Sequence, residues 1–282
     1  MFILQHFGYD IIILWILLGN RRGDSMRRMG IGLQLYTLRE ETAKDFKGTL
    51  RKVAELGYEG VEFAGYGGIP AGEMKALLDE LGLKAIGAHV GLHLLKDNLE
   101  QEIDYLKTIG ASYMICPYVS PEERGGEAEW KERFELLAKV GAEARKHGLV
   151  FGYHNHDFEF TGHVGELTIF DALYEATKPE EVQVELDVCW VQFAGQDPLA
   201  YIAKYAGRLP LLHLKDFSRK PDGSMDTLQL GLGDVDLPAV IQASSDAGVE
   251  WLIVEQDHCQ LPPLESVANS IQWVKENYLT QF

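Results

Sequence analysis

Cysteine, basic charge and long apolar runs are all scarce in this chain of 282 residues. Its three cysteines, Cys116, Cys189 and Cys259, stand far apart with no Cys-x-x-Cys pair. They supply no disulfide framework and suit a reducing compartment, so the cytoplasm is the expected location. Lys and Arg number 26 against 43 Asp and Glu, a formal net charge of −17. Binding to a phosphate backbone depends on clustered Lys and Arg that release counterions, so neither nucleic acid nor an anionic membrane is an expected partner. The apolar run Ile11–Leu18 is too short to cross a bilayer. As a signal peptide it lacks a positive stretch before it and a small-residue cleavage site after it. An anchor is one reading of this segment. The other takes Arg21, Arg22 and Gly23 as a translated ribosome-binding site, with Met26 or Met29 the true start. Residues 1–29 are therefore expected to be a tail, disordered or wrongly included, and residues 30–282 a single domain.

No low-complexity or linker-like stretch divides the remainder, and 46% hydrophobic with 24% charged residues is an ordinary globular composition. From Ile31 onward one unit recurs: a helical stretch, a glycine where a helix C-cap belongs, then a short apolar run typical of a strand buried on both faces. The runs fall at 31–38, 56–65, 81–91, 109–119, 147–156, 182–190, 209–217 and 248–257. Between them lie amphipathic segments such as "AGEMKALLDEL" and "EWKERFELLAKVGAEARKH". Alternation repeated eight times predicts an α/β fold, a (β/α)₈ TIM barrel. A doubly wound open sheet is the alternative, but the first strand-to-helix turn lacks G-x-G-x-x-G.

Active sites of such barrels gather at the C-terminal ends of the strands. Those ends carry Gln34 and Tyr36, Glu62, His89, Cys116 and Tyr118, His154 and His156, Glu185 and Asp187, His213 with Lys215 and Asp216, then Glu255 and Asp257. Buried charge is costly unless paired or bound to metal. His154, Asp187, His213 and Glu255 come from four consecutive strands and offer two imidazoles and two carboxylates. That set suits one divalent ion such as Mn, Co, Fe, Zn or Mg, whose charge the carboxylates neutralise. Taken singly, each of the four reads as a satisfied core polar group; taken together they read as a metal site.

The segments "GLQLYTLR", "YHNHDFEF", "ELDVCW", "LHLKDF" and "IVEQD" resemble those of the xylose isomerase-like (β/α)₈ family of sugar isomerases, epimerases and inosose dehydratases, and the likeness runs from about Ile31 to Tyr278. It implies a divalent-metal enzyme acting on a carbohydrate, with Asp187, His213 and Glu255 at three of the family's ligand positions and Arg219 where epimerases contact substrate. At strand five His154 replaces the epimerases' glutamate, which weakens a two-glutamate epimerisation and points toward the dehydratase branch. Many relatives are dimers or tetramers, so a homo-oligomer is compatible with the resemblance.

The shared chemistry is proton abstraction next to a carbonyl through a metal-stabilised enediolate. His156 and Glu255 are the candidate proton-transfer groups, Lys215 balances charge, and Gln34, Glu62, His89, Trp190 and Arg219 are the candidate substrate contacts. Each has a plainer reading: His89 and His156 as layer hydrogen bonders, Glu62 and Glu185 as partners of Lys or Arg, Trp190 as core, Arg219 as a solvated loop residue. Two enzyme rivals are a retaining glycosidase, disfavoured because strand four ends without a carboxylate, and a DNA-repair endonuclease, disfavoured by acidity. A non-catalytic sugar-binding barrel is the non-enzymatic alternative.

Overall fold

The structure of the protein, a computed structural model, describes residues 26–282, and the expectations placed on residues 1–25 lie outside them. Eight parallel strands close into a barrel in chain order: β1 Gly30–Gln34, β2 Gly60–Phe63, β3 Lys84–His89, β4 Tyr113–Cys116, β5 Val150–His154, β6 Gln183–Asp187, β7 Leu211–Leu214 and β8 Trp251–Val254. The barrel shuts where Gly30 pairs with Trp251. Around it run α1 Arg39–Leu56, α2 Ala71–Leu81, α3 Leu99–Ile109, α4 Glu127–Lys146, α5 Ile169–Ala176, α6 Pro198–Lys204, α7 Leu237–Ala247 and α8 Pro263–Asn277. This is the TIM barrel that the alternating pattern predicts. Helices α1, α2, α3 and α7 stop at Gly57, Gly82, Gly110 and Gly248, all left-handed, so the recurring glycine does act as a C-cap.

The period of two along each strand sorts the interior into levels. Ile86, Tyr113, Ile115, Leu211 and Ile253 pack together inside, with Trp251 against them. Glycines make room for them: a Cβ on Gly32 would lie 2.3 Å from Ile86 Cδ1, and one on Gly152 2.7 Å from Ile115 Cδ1. One alternation further toward the strand C-termini stand Gln34, Glu62, His154, Glu185 and His213, all buried. The barrel is thus plugged by apolar side chains below and polar above, which confines chemistry to the upper end.

Strand ends differ from expectation where side chains capture the backbone. β1 stops at Gln34 rather than Leu38, because Gln34 Oε1 accepts from the Tyr36 N–H at 3.0 Å and Leu35–Leu38 winds into a 3₁₀ turn. β5 stops at His154, and Glu159 Oε2 accepts from the His156 N–H at 2.8 Å. Asp187 closes β6 and caps the short helix Val188–Phe193, accepting from the Trp190 N–H at 3.0 Å. Arg27 to Met29, expected in the tail, pack on the barrel: the Arg27 N–H donates to Ser245 Oγ at 2.7 Å and Met29 is buried.

After β7 the chain makes an antiparallel hairpin, Asp216–Arg219 against Met225–Leu228. The following turn is gathered around one carboxylate. Asp216 Oδ2 accepts from the N–H groups of Gly231 and Gly233, both at 2.9 Å, and Oδ1 from those of Phe217 at 3.0 Å and Val235 at 3.1 Å. No helix among the described residues is long and apolar enough to cross a membrane.

Candidate metal centre

Glu185 is the hub of the buried polar level. Its Oε2 lies 2.8 Å from His89 Nε2, 3.0 Å from His154 Nδ1 and 3.3 Å from His213 Nε2. Three imidazoles from β3, β5 and β7 thus share one carboxylate oxygen. Glu62 stands beside it: its Oε2 is 2.9 Å from His213 Nε2 and accepts from Gln34 Nε2 at 2.8 Å. These partners use one nitrogen of His154 and one of His213 and leave the others turned toward Asp187 and Glu255. His154 Nε2 is 3.9 Å from Asp187 Oδ2, and His213 Nδ1 is 2.9 Å from Glu255 Oε2.

Donor atoms of His154, Asp187, His213 and Glu255 all lie within 4.8 Å of one another. Those of His89, His154, Glu185 and His213 do so too. In the second set the carboxylate already sits at the centre of its three imidazoles; in the first, two nitrogens and two carboxylate oxygens face each other. The first also has the support that metal-binding histidines need, a carboxylate on the far ring nitrogen: Glu185 for His154 and Glu62 for His213.

Charge tells the same story. Glu62, Glu185, Asp187 and Glu255 are buried with Lys215 as the one buried ammonium among them. Lys215 Nζ donates to Asp187 Oδ2 at 3.1 Å and Glu255 Oε2 at 3.0 Å, and lies 2.7 Å from Asp257 Oδ2 without hydrogen-bond alignment. The surplus of negative charge must be met by protons or by a cation. Burial works against a charged His89, yet Glu62 and Glu185 outweigh it and push the imidazole up to about 10. The same contest raises His213 well above its ordinary value. Burial pushes Asp187 up to about 6 despite Lys215, whereas His213 and Lys215 overcome burial to hold Glu255 well below the carboxylate range. Glu62 Oε1 and Glu185 Oε1 are buried with no partner among the described residues. An N₂O₂ donor set, excess buried carboxylate and preset far-side partners together fit a divalent ion.

Above this level opens a cavity of about 580 Å³. Its floor holds His89, His154 and Glu255, and its walls hold Tyr36, Tyr118, Trp190, His156 and Asp257. His156 stands at 5.1 Å, ring to ring, from His154 and at 5.3 Å from Trp190. Its Nδ1 and the Trp190 Nε1 are buried without a partner among the described residues. Burial, then the neighbouring His154, depresses the His156 imidazole well below its usual value, so it is neutral.

Of the residues singled out in the sequence, His89, His154, His156, Trp190 and Glu255 line the cavity, while Asp187, His213 and Lys215 are fully buried beneath it. Gln34 and Glu62, expected to touch substrate, are buried below as well: Gln34 donates to Glu62, and Glu62 meets His213. Arg219 does not line the cavity: it donates to the carbonyls of Gly223 at 3.0 Å and Phe193 at 2.6 Å. Glu62 and Glu185, read as partners of Lys or Arg, take imidazoles instead. Tyr36 and Tyr118 as walls and Asp257 beside Lys215 are additions to the expected set, although all three stand at strand ends.

The family model of the xylose isomerase-like TIM barrel matches residues 50–277, and the chain belongs to that family. The inosose dehydratase of Clostridium perfringens is 30% identical over 222 residues, 72% of this chain and 68% of that protein. That of Clostridium tetani is 30% identical over 167 residues, which span 53% of this chain and 55% of that protein. Among solved structures, a sugar phosphate isomerase/epimerase from Parabacteroides distasonis shares the fold with a TM-score of 0.73 at 24% identity, covering 91% of this chain and 97% of that one. The IolI protein with a bound zinc atom matches with a TM-score of 0.73 at 16% identity, covering 90% and 99%.

Proposed function

We propose that the protein is a divalent-metal-dependent isomerase, epimerase or dehydratase that removes a proton next to the carbonyl of a sugar, keto-sugar or inosose. The observation that carries this is the convergence of His154, Asp187, His213 and Glu255 at the base of a cavity that the neutral imidazole of His156 also lines. The inosose dehydratases among the relatives and the zinc-bound neighbour agree with it.

His154 through Nε2, Asp187 through Oδ2, His213 through Nδ1 and Glu255 through Oε2 would hold the ion. Bound there, a divalent cation supplies Lewis-acid polarisation of a carbonyl and its neighbouring hydroxyl. The protein supplies the rest. His156, neutral and lining the cavity, is the group that accepts the α-proton, and Glu255, at the edge of the cavity, is the second group able to carry a proton. Lys215 stays buried and acts through its charge, keeping Asp187 and Glu255 in place. Tyr36, Tyr118 and Trp190 give the cavity an aromatic lining for the C–H side of a sugar ring, and His89 and Asp257 line it beside them as partners for its hydroxyls.

The test is exchange of the α-proton into D₂O, followed by proton NMR with keto-sugars and inososes after loading with Mn²⁺, Co²⁺ or Zn²⁺. His156→Asn is expected to slow exchange by about 10²- to 10⁴-fold while metal content by mass spectrometry stays near one per chain. His154→Ala is expected to lose both. Exchange that survives His156→Asn at the wild-type rate would remove His156 from the proposal, and absence of bound metal in the wild type after loading would remove the ion.

A further inference from the structure

Asn155, between His154 and His156, is fully buried yet does not line the cavity. The β5–β6 ladder runs only as far as the pairing of His154 with Glu185. Past that point the Asn155 side chain continues it. Its Nδ2 donates to the Asp187 carbonyl at 3.1 Å, and its Oδ1 accepts from the Asp187 N–H at 3.0 Å. Only this orientation of the amide serves both groups, since one needs a donor and the other an acceptor. On its other side Asp187 is in register with His213 of β7. The residue is thus gripped from both sides at the very end of β6.

The carboxylate on that clamped backbone divides its oxygens between two tasks. Oδ1 accepts from the Trp190 N–H at 3.0 Å and so caps the short helix Val188–Phe193. Oδ2 faces the candidate ion site, 3.1 Å from Lys215 Nζ and 3.9 Å from His154 Nε2. The helix in turn brings Trp190 to the cavity wall, 5.3 Å from the His156 ring, with Lys215 Nζ 5.6 Å from the Trp190 ring centre. A shift of Asp187 therefore moves a ligand and a wall together.

Resting on the metal reading above, we infer that Asn155 is a positioning residue: by clamping the Asp187 backbone it sets Oδ2 toward the ion and Oδ1 as the cap that places Trp190 in the cavity wall. Ion affinity and the placement of the wall then depend on a side chain that touches neither the ion nor the cavity. Its substitution leaves all four ligands and His156 in the chain. A side chain that only filled space would change stability without changing how the ion is coordinated.

The test compares Asn155→Ala with the wild type by two readouts, and Leu106→Ala, at a buried leucine of α3 outside the site, is the destabilised control. The first is hydrogen exchange of the metal-free proteins. In Asn155→Ala the amides of Asp187 and Trp190 are expected to exchange about tenfold faster relative to those earlier in β6, and in Leu106→Ala that ratio is expected to stay at its wild-type value. The second is uptake of Co²⁺, followed by chelator competition and by the visible absorption of the bound ion, whose bands report coordination geometry. Asn155→Ala is expected to bind Co²⁺ about 10- to 100-fold more weakly and with altered bands, while Leu106→Ala keeps both. Asn155→Ser, which retains one small hydrogen-bonding group, carries the same expectations should Asn155→Ala not fold. Unchanged relative exchange at Asp187 and Trp190, or Co²⁺ held with wild-type affinity and bands, overturns this inference alone. A wild type that takes up no Co²⁺ overturns the metal reading and this inference with it.

Discussion

Single side chains decide the state of the site, and Glu185 is the clearest case. One oxygen holds three imidazoles, so Glu185→Gln is expected to lower metal affinity by about 10- to 100-fold, read by competition with a chelator, the usual effect of losing a carboxylate behind a ligating histidine. Glu159 carries a different prediction. Burial outweighs the hydrogen bonds from Tyr153 Oη and the His156 N–H and raises its carboxyl from 4.5 to about 7. Between those values the folded chain binds a proton that the unfolded chain has released. Stability from this group is therefore full below about pH 4.5, falls as pH rises to about 7, and then levels off, a change of about 3 kcal/mol. Urea titrations across that window should show the slope in wild type and its loss in Glu159→Gln, and parallel profiles would contradict it. The sequence revealed the site's residue types well and their partners poorly. Alternation along β6 tells that Glu185 and Asp187 share a face, but not that the facing strands present histidines rather than Lys or Arg. Arg219 misled for a similar reason: two residues past "HLKDF" in sequence, it is carried off by a hairpin that its spacing does not announce.

Secondary-structure elements were more legible, because β2, β3, β4 and β8 each follow a helix-capping glycine and the strands are mostly apolar. Seven of the eight barrel strands lie inside the runs read from the sequence, and β1 begins one residue before its run, at Gly30. Their ends were not legible, since Gln34, Glu159 and Asp187 stop or redirect the chain through side-chain bonds to backbone N–H groups that no periodicity encodes. Packing of the outer helices makes its own prediction. Gly141 of α4 runs against the segment before β6, and a Cβ there would lie 1.7 Å from the Glu181 carbonyl oxygen. Gly141→Ala is expected to cost about 1–3 kcal/mol, visible as a lower Tm, while proton exchange activity at low temperature survives. At the turn after β7, Asp216→Asn takes a charged acceptor from four amides. Hydrogen exchange of Gly231, Gly233 and Val235 should accelerate, and global stability should fall by about 1–3 kcal/mol.

At the scale of the whole molecule, the proposed metal site ties ion binding to folding. Its proposed ligands stand at the C-terminal ends of β5 to β8 and meet in the closed barrel, so an ion that binds the native state alone would stabilise it by about 2.7 kcal/mol at 100 times its Kd. Chelation should lower Tm and a divalent ion should restore it; a Tm indifferent to both would count against the site. The apolar plug inside the barrel, Ile86, Tyr113, Ile115, Leu211 and Ile253, sets a further condition on turnover. It closes the barrel below the cavity, which opens at the strand C-termini. Under the proposed chemistry a product would leave by the route that the next substrate needs. Product and substrate would then exclude one another, and inhibition by product is expected to be competitive in initial-rate measurements.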